Sequence, residues 1–257
     1  MIDQLWMIPL GFVAGILGSM IGLGGGIIVV PVLTFFGFSP TLAASNSLFA
    51  AFSNAIGSTV SYSRQKRIEY SLGLKLGLLS IPGTVVGAYL SSDVTPAIFK
   101  ILFGLVLISS AIYIYLRKKI ETKEKNLTKQ MFVFVVAASF FAGIISSFFG
   151  VGGGIIFVPL MVVGIGMTMK KAAPTSQFIL LFASLSGIIV HSVLGHPDFI
   201  QAGLLSVGAF GGGIVGARLS LDIKERYLQI LVSTIIIIAA IKLFFDSASE
   251  NLFLIGI

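Results

Sequence analysis

Cysteine is absent, tryptophan occurs once, and only 11% of the 257 residues are charged. Without cysteine there is no disulfide, no thiolate metal site and no thiol nucleophile. Globular proteins carry about 25% charged residues. This chain is 56% hydrophobic, with a mean hydropathy of +1.04. A water-soluble fold cannot hide that much apolar surface, so the solvent for most of the chain is lipid. Acidic residues are missing from the apolar runs: Glu69, Asp93, Asp198 and Asp222 sit in loops or at helix ends. That weakens the case for proton coupling through a buried carboxylate. It also leaves no acid to support an intramembrane catalytic site. Short alternating segments are missing as well, which argues against a β-barrel.

What is present is a series of apolar runs. They cover residues 5–21, 24–38, 41–63, 72–90 and 98–116, then 131–149, 152–165, 172–194, 200–219 and 227–245. Most approach the ~20 residues that a helix needs to cross hydrocarbon. The first run follows MIDQLW, which has no basic segment, so it reads as a retained helix and not a signal peptide. The runs at 24–38 and 152–165 are short, about 20–22 Å if helical. Residues 117–130 (RKKIETKEKNLTKQ) form the longest polar stretch and read as a linker.

The two halves repeat each other. Residues 15–31 read GILGSMIGLGGGIIVVP and residues 143–159 read GIISSFFGVGGGIIFVP, with eleven of seventeen positions identical. GTVVGAYLSSDV from Gly83 aligns with GGIVGARLSLDI from Gly212, with seven of twelve identical. A repeat fixes the architecture before residue chemistry is considered. The expected units are a first repeat, 1–116, the linker, 117–130, and a second repeat, 131–257.

Basic residues set the orientation, because cytoplasmic loops hold the excess of lysine and arginine. If the short segments do not reverse the chain, the seventeen cations divide eleven to six. If each does, fifteen lie on the linker side: Arg64, Lys66, Arg67, Lys75, the six linker cations, Lys170, Lys171, Arg218, Lys224 and Arg226. Only Lys100 and Lys242 fall on the other side. The expected fold is therefore an all-α polytopic membrane protein of two inverted repeats. Each has three full transmembrane helices plus a glycine-tipped pair of segments. That pair is a re-entrant hairpin or two further crossings, and the short length favours the hairpin. The linker is cytoplasmic and both termini lie outside. The net charge of +7 is spent on topology, so no nucleic-acid partner is expected.

Glycine-interrupted segments at matching places in two halves point to a transporter's substrate site. Gly24, Gly25 and Gly26 interrupt the first half, and Gly152, Gly153 and Gly154 the second. A helix restarting at mid-membrane presents unpaired N–H groups and a partial positive charge, which suits an anion. Close helix packing is the competing use of such glycines. After each short segment comes a polar cluster, Ser45, Asn46 and Ser47 in the first half and Thr175, Ser176 and Gln177 in the second. These side chains donate to an oxyanion, or else cap and cross-link helices. Ser19 and Ser147 are weaker candidates by the same logic. His191 and His196 read as solvated loop residues, and Lys75 and Arg218 as snorkelling cations. No catalytic residue, metal ligand or cofactor is expected.

At GLGGGIIVVP and GVGGGIIFVP the chain resembles the TauE/SafE, or sulfite exporter, family over essentially its whole length. The resemblance implies a transporter of sulfite, sulfoacetate or a related sulfur-containing or organic anion in the plasma membrane. Its partners would be that anion and the bilayer, with a homodimer left open. A passive anion channel and a non-transporting membrane subunit are the alternatives. The halves differ where Pro174 replaces Ser45 and Arg218 replaces Tyr89, so the two half-sites are expected to be unequal.

Overall fold

The computed structural model describes residues 4–92, 94–116 and 129–221, with separate positions between 230 and 245. The described residues are mostly helical, with no strand among them. The helices are α1 (Met7–Ile21), α2 (Gly26–Phe35), α3 (Pro40–Arg64), α4 (Tyr70–Ser92), α5 (Pro96–Leu116), α6 (Lys129–Phe149), α7 (Gly154–Pro159), α8 (Met169–Val193) and α9 (Phe199–Leu219). A π-helical turn, Leu160–Gly164, continues α7. Linker residues 117–128 lie outside the described residues, while Lys129 and Gln130 belong to α6 and not to the linker. Most of the expected 227–245 segment also lies outside them.

Three of the helices, α4, α8 and α9, are long and apolar enough to cross a membrane. The distribution of side chains matches a lipid solvent. On α4, Leu74, Leu78, Val86 and Leu90 are exposed, while Gly73, Gly77, Ser80, Gly83 and Thr84 are buried. The small and polar residues face inward, the reverse of a helix in water.

Small residues face inward because the halves interlock. α1 packs on α9, and α6 packs on α4, so the first helix of each half lies against the fourth of the other. At both crossings backbone meets backbone. A Cβ at Gly83 or Gly87 would overlap the carbonyl of Phe140 or Ile144, and a Cβ at Gly212 or Gly216 that of Phe12 or Ile16. Here the glycines serve packing, at a cost of about 1 kcal/mol each in helix propensity. α3 and α8, both 25 residues long, pack on each other between these crossings.

The short segments reverse the chain. The ring of Trp6 before α1 lies 4.7 Å from that of Phe36 after α2, so α1 and α2 form a hairpin. α1 has 15 residues, about 22 Å, which is short of the ~30 Å hydrocarbon core. The second hairpin differs by one residue. Its π turn takes up the extra residue, with Ile165 N–H bonding back to the carbonyl of Leu160. This is where the spacing between the halves changes.

The loops fall into two groups. Arg67 donates from Nε to the carbonyl of Lys170 at 2.8 Å and from Nη1 to Ser220 Oγ at 2.9 Å. Lys171 pairs with Glu69. The basic loop after α3, the start of α8 and the end of α9 therefore share one end. Partial burial lowers the Arg67 guanidinium from its ordinary value, and the nearby Tyr62 hydroxyl raises it. At the other end Thr41 Oγ1 donates to the carbonyl of Ser91, and Asp198 N–H donates to Asn46 Oδ1.

Candidate substrate site at the two glycine turns

Each hairpin tip is built from the same pieces. α1 ends on Gly22, whose left-handed φ of +84° lets its amide bond back to Gly18 and Ser19. α6 ends at Gly150, φ +71°, and Val151 N–H reaches the carbonyl of Ser146. Left-handed backbone at a helix end is what glycine permits most cheaply. α2 then restarts, with Ile28 N–H to Gly25 O as its first bond, and α7 restarts with Ile156 N–H to Gly153 O. The amides of Gly26 and Ile27, and of Gly154 and Ile155, precede those bonds and have no acceptor within their helix. The halves differ in detail. Gly25 is right-handed at φ −55°, and Gly153 is left-handed at φ +80°.

The two tips touch. A Cβ on Gly26 would overlap the carbonyl oxygen of Gly150, and one on Gly154 that of Gly22. Gly24 and Gly152 both face the side chain of Leu180. Of the six expected glycines, Gly24, Gly26, Gly152 and Gly154 thus lie at the meeting of the tips. Gly25 faces Ala14 of its own hairpin, and Gly153 faces Phe157, Ala142 and Ser146.

The polar clusters sit one to two turns inside α3 and α8, and the structure gives each residue a separate task. The N-caps proper are Ser39 and Thr168, so these residues do not cap their helices. Ser47 Oγ donates to Gly150 O at 2.8 Å, and Ser176 Oγ donates to Gly22 O at 2.6 Å. Each hydroxyl holds the tip of the opposite hairpin. Asn46 accepts from Asp198 N–H and donates to Gln201 Oε1, while Thr175 Oγ1 accepts from Glu69 N–H. Ser45 donates to Leu42 O of its own helix, and Pro174 stands at its place in α8. Gln177 donates to Gly18 O at 3.0 Å and accepts from Asn54 and Ser58.

Several buried polar residues had no strong sequence signal. Asn54 and Ser58 lie inside an apolar helix and join Gln177. Tyr62 donates to Ser19 O at 2.8 Å, and His191 Nε2 lies 3.1 Å from Ser147 O. The solvated reading of His191 is overturned, since it is fully buried. Lys100, expected near an outer helix end, is also buried. Aligning the halves beyond the extra residue would have set Tyr62 opposite His191. Ser19 Oγ bonds to Ile16 O, whereas Ser147 Oγ has no hydrogen-bond partner among the described residues. Lys75 and Arg218 are exposed, as snorkelling requires.

Two apolar clefts flank the hairpins. One, of about 460 Å³, lies between α5, α6 and α7, with Pro159 in its wall, and another has Pro31 in its wall. Ser109 and Ser110 line the first, but both donate to Val106 O, so neither is poised for an anion.

An all-helical protein with an apolar exterior, two glycine-turned hairpins and interlocked halves defines a multi-pass membrane protein of the transporter class. The chain belongs to the TauE/SafE family: the family model described as sulfite exporter TauE/SafE matches residues 7–243. It is 28% identical to the probable membrane transporter protein YunE of Bacillus subtilis, covering 93% of this chain and 97% of that one. It is 28% identical to a probable membrane transporter protein of Methanocaldococcus jannaschii, over 90% and 91% of the two chains. It is 23% identical to YfcA of Escherichia coli, over 93% and 88%. No solved structure matches the chain.

Proposed function

We propose that this protein is a secondary transporter that moves a small sulfur-containing or organic anion, of the sulfite or sulfoacetate kind, by alternating access. The observation that carries the reading is the tip-to-tip contact of the hairpins, held by Ser47 and Ser176 across the halves. With the tips touching, passage requires them to separate. Separation frees two hydroxyl donors and exposes the amides of Gly26, Ile27, Gly154 and Ile155. Hydrogen bonds to an ionised group contribute about 1.5–3 kcal/mol each, so several together hold an anion without a deep arginine.

The repeats, 1–116 and 131–257, are then inverted about an axis in the membrane plane. The grouping of Arg67, Lys170, Lys171 and Arg218 at one end supports this; on this reading the linker ahead of α6 is cytoplasmic and the protein lies in the plasma membrane. The test is uptake of labelled sulfite and sulfoacetate into proteoliposomes. Saturable uptake, with exclusion of a neutral analogue of equal size, is expected. Equal flux of the neutral analogue would count against an anion site.

A further inference from the structure

The chain's two histidines touch. α8 ends at Val193, and Gly195, at φ +74°, turns the chain back. The amides of Gly195 and His196 then bond to the carbonyls of Ser192 and His191. This brings the two imidazoles edge to face, with ring centroids 5.0 Å and Nδ1 atoms 2.8 Å apart. His191 is fully buried, with Nε2 toward Ser147 O. His196 is partly exposed, with Nε2 3.2 Å from Ser92 Oγ.

The tautomers follow from these partners. A carbonyl only accepts, so His191 carries its proton on Nε2 and leaves Nδ1 bare. A bare Nδ1 facing a nitrogen at 2.8 Å needs a donor, so His196 carries its proton on Nδ1. Its Nε2 is then an acceptor for the Ser92 hydroxyl, which turns to it from the carbonyl of Ala88, 3.4 Å away. Both rings are neutral and every nitrogen is satisfied.

We propose that His191 and His196 form a one-proton binding site, open to solvent at His196, that couples proton movement to anion transport. The coupling rests on the transport reading above, whereas the proton site stands without it. A proton enters at His196 Nε2, and the Ser92 hydroxyl rotates to accept. The Nδ1 proton of His196 then passes to Nδ1 of His191. One N–H forms at His196 Nε2, the N–H at its Nδ1 breaks, and one forms on His191. His196 ends neutral, and the charge rests on the buried ring beside Ser147 O. A second proton would set two N–H groups face to face, so the pair holds one. A bridging metal is a poor fit, because two bonds of about 2.0–2.1 Å at a tetrahedral angle hold nitrogens farther apart than this.

The elements packed on α8 offer little to balance that charge. α6 carries Lys129 at its far end, and α1, α7 and the π turn carry no titratable residue. α3 has Tyr62 and Arg64, and α4 has Tyr70 and Lys75, all toward the linker end, with Tyr89 nearer this one. Lys170 and Lys171 begin α8 at its opposite end. Asp198, before α9, accepts from the amides of Ile200 and Gln201. Asp93 lies outside the described residues. Among the described residues no carboxylate bonds to either ring. A charged His191 therefore disfavours this arrangement relative to one that relieves it, and a ligand shifts an equilibrium only by such a difference. The group that ring holds is Ser147, just ahead of the Gly150 tip, and a charged ring grips its carbonyl more strongly. Tyr62 makes the equivalent bond to Ser19 in the first half, and a phenol does not titrate near neutral pH.

Two readouts on the full chain test this. With only two imidazoles, 15N-histidine NMR in detergent should show the Nε2–H form of His191, the Nδ1–H form of His196, and uptake of one proton shared by both signals. Two rings that titrate independently overturn the site. For coupling, proteoliposomes containing pyranine receive a gradient of 35S-sulfoacetate, which is fully ionised near neutral pH and carries no proton itself. Wild type should move protons with sulfoacetate. The protons moved per sulfoacetate should fall to the protein-free background in His191→Gln, which keeps a donor to Ser147, and in His196→Gln, which leaves the buried bond alone. Sulfoacetate flux without proton movement in wild type, or an unchanged ratio in both folded variants, overturns coupling. If wild type moves no sulfoacetate, it is the transport reading that fails for this anion, and the NMR titration still decides the proton site.

Discussion

The hydroxyl of Ser47 closes on Gly150 O and that of Ser176 closes on Gly22 O, so the two serines are exchanged between the halves. Neither hairpin tip is held only by its own repeat. A movement that parts the halves must break both bonds, which ties the tips to the relative position of α3 and α8.

Ser47→Ala and Ser176→Ala should each cost about 1–3 kcal/mol, because each leaves a buried carbonyl without its partner. Thermal melts in detergent measure this. A melting temperature unchanged in both variants would remove the hydroxyls as latches.

The glycines at the tips should separate into two classes. Gly26→Ala and Gly154→Ala drive a Cβ into the opposite carbonyl, so both should lose transport and force the tips apart. Gly25→Ala should cost less than either, because Gly25 is right-handed and its Cβ would crowd the backbone of Ala14 at 3.1 Å without overlapping it. Gly153→Ala should cost about 1–2 kcal/mol more, for the left-handed backbone at φ +80°. Flux per folded protein, measured alongside the melts, distinguishes a blocked site from a destabilised one.

Acid should destabilise this conformation through His196. Burial lowers its imidazole from the ordinary value, so the unfolded chain binds that proton at higher pH than the folded one. The stabilisation is whole above the unfolded value and is lost as pH falls through the folded one. Melts should be flat near neutral pH and fall below about pH 6. The fall should be smaller in His196→Gln, and an identical acid slope in both proteins would contradict it.

Topology can be read by labelling, since the chain has no cysteine. Ser92 hydrogen-bonds His196, while Thr168 leads into the Lys170 loop that Arg67 bonds. Single cysteines at 92 and 168 should label from opposite sides, with 168 reached from the cytoplasm. Labelling of 168 from outside would overturn the orientation.

The duplication, the all-helical class and the family were legible in the sequence, because each leaves a pattern that needs no partner. The tasks of single polar residues were not. Ser47 reads the same whether it caps a helix or latches the far hairpin. His191, followed closely by Gly195, His196 and Pro197, reads as solvated until the left-handed turn folds it back under the chain. Asn54 and Ser58 look like interruptions of an apolar helix, and only the arrival of Gln177 from the other half gives them a role.

Counterflow tests the central claim most directly. Proteoliposomes loaded with unlabelled sulfoacetate are diluted into labelled sulfoacetate, and the label inside is followed in time. Hairpin tips that part to either side in turn predict saturable entry and a transient overshoot of label, both lost in Gly26→Ala. Entry that rises linearly with concentration and shows no overshoot would describe a passive pore and contradict the account.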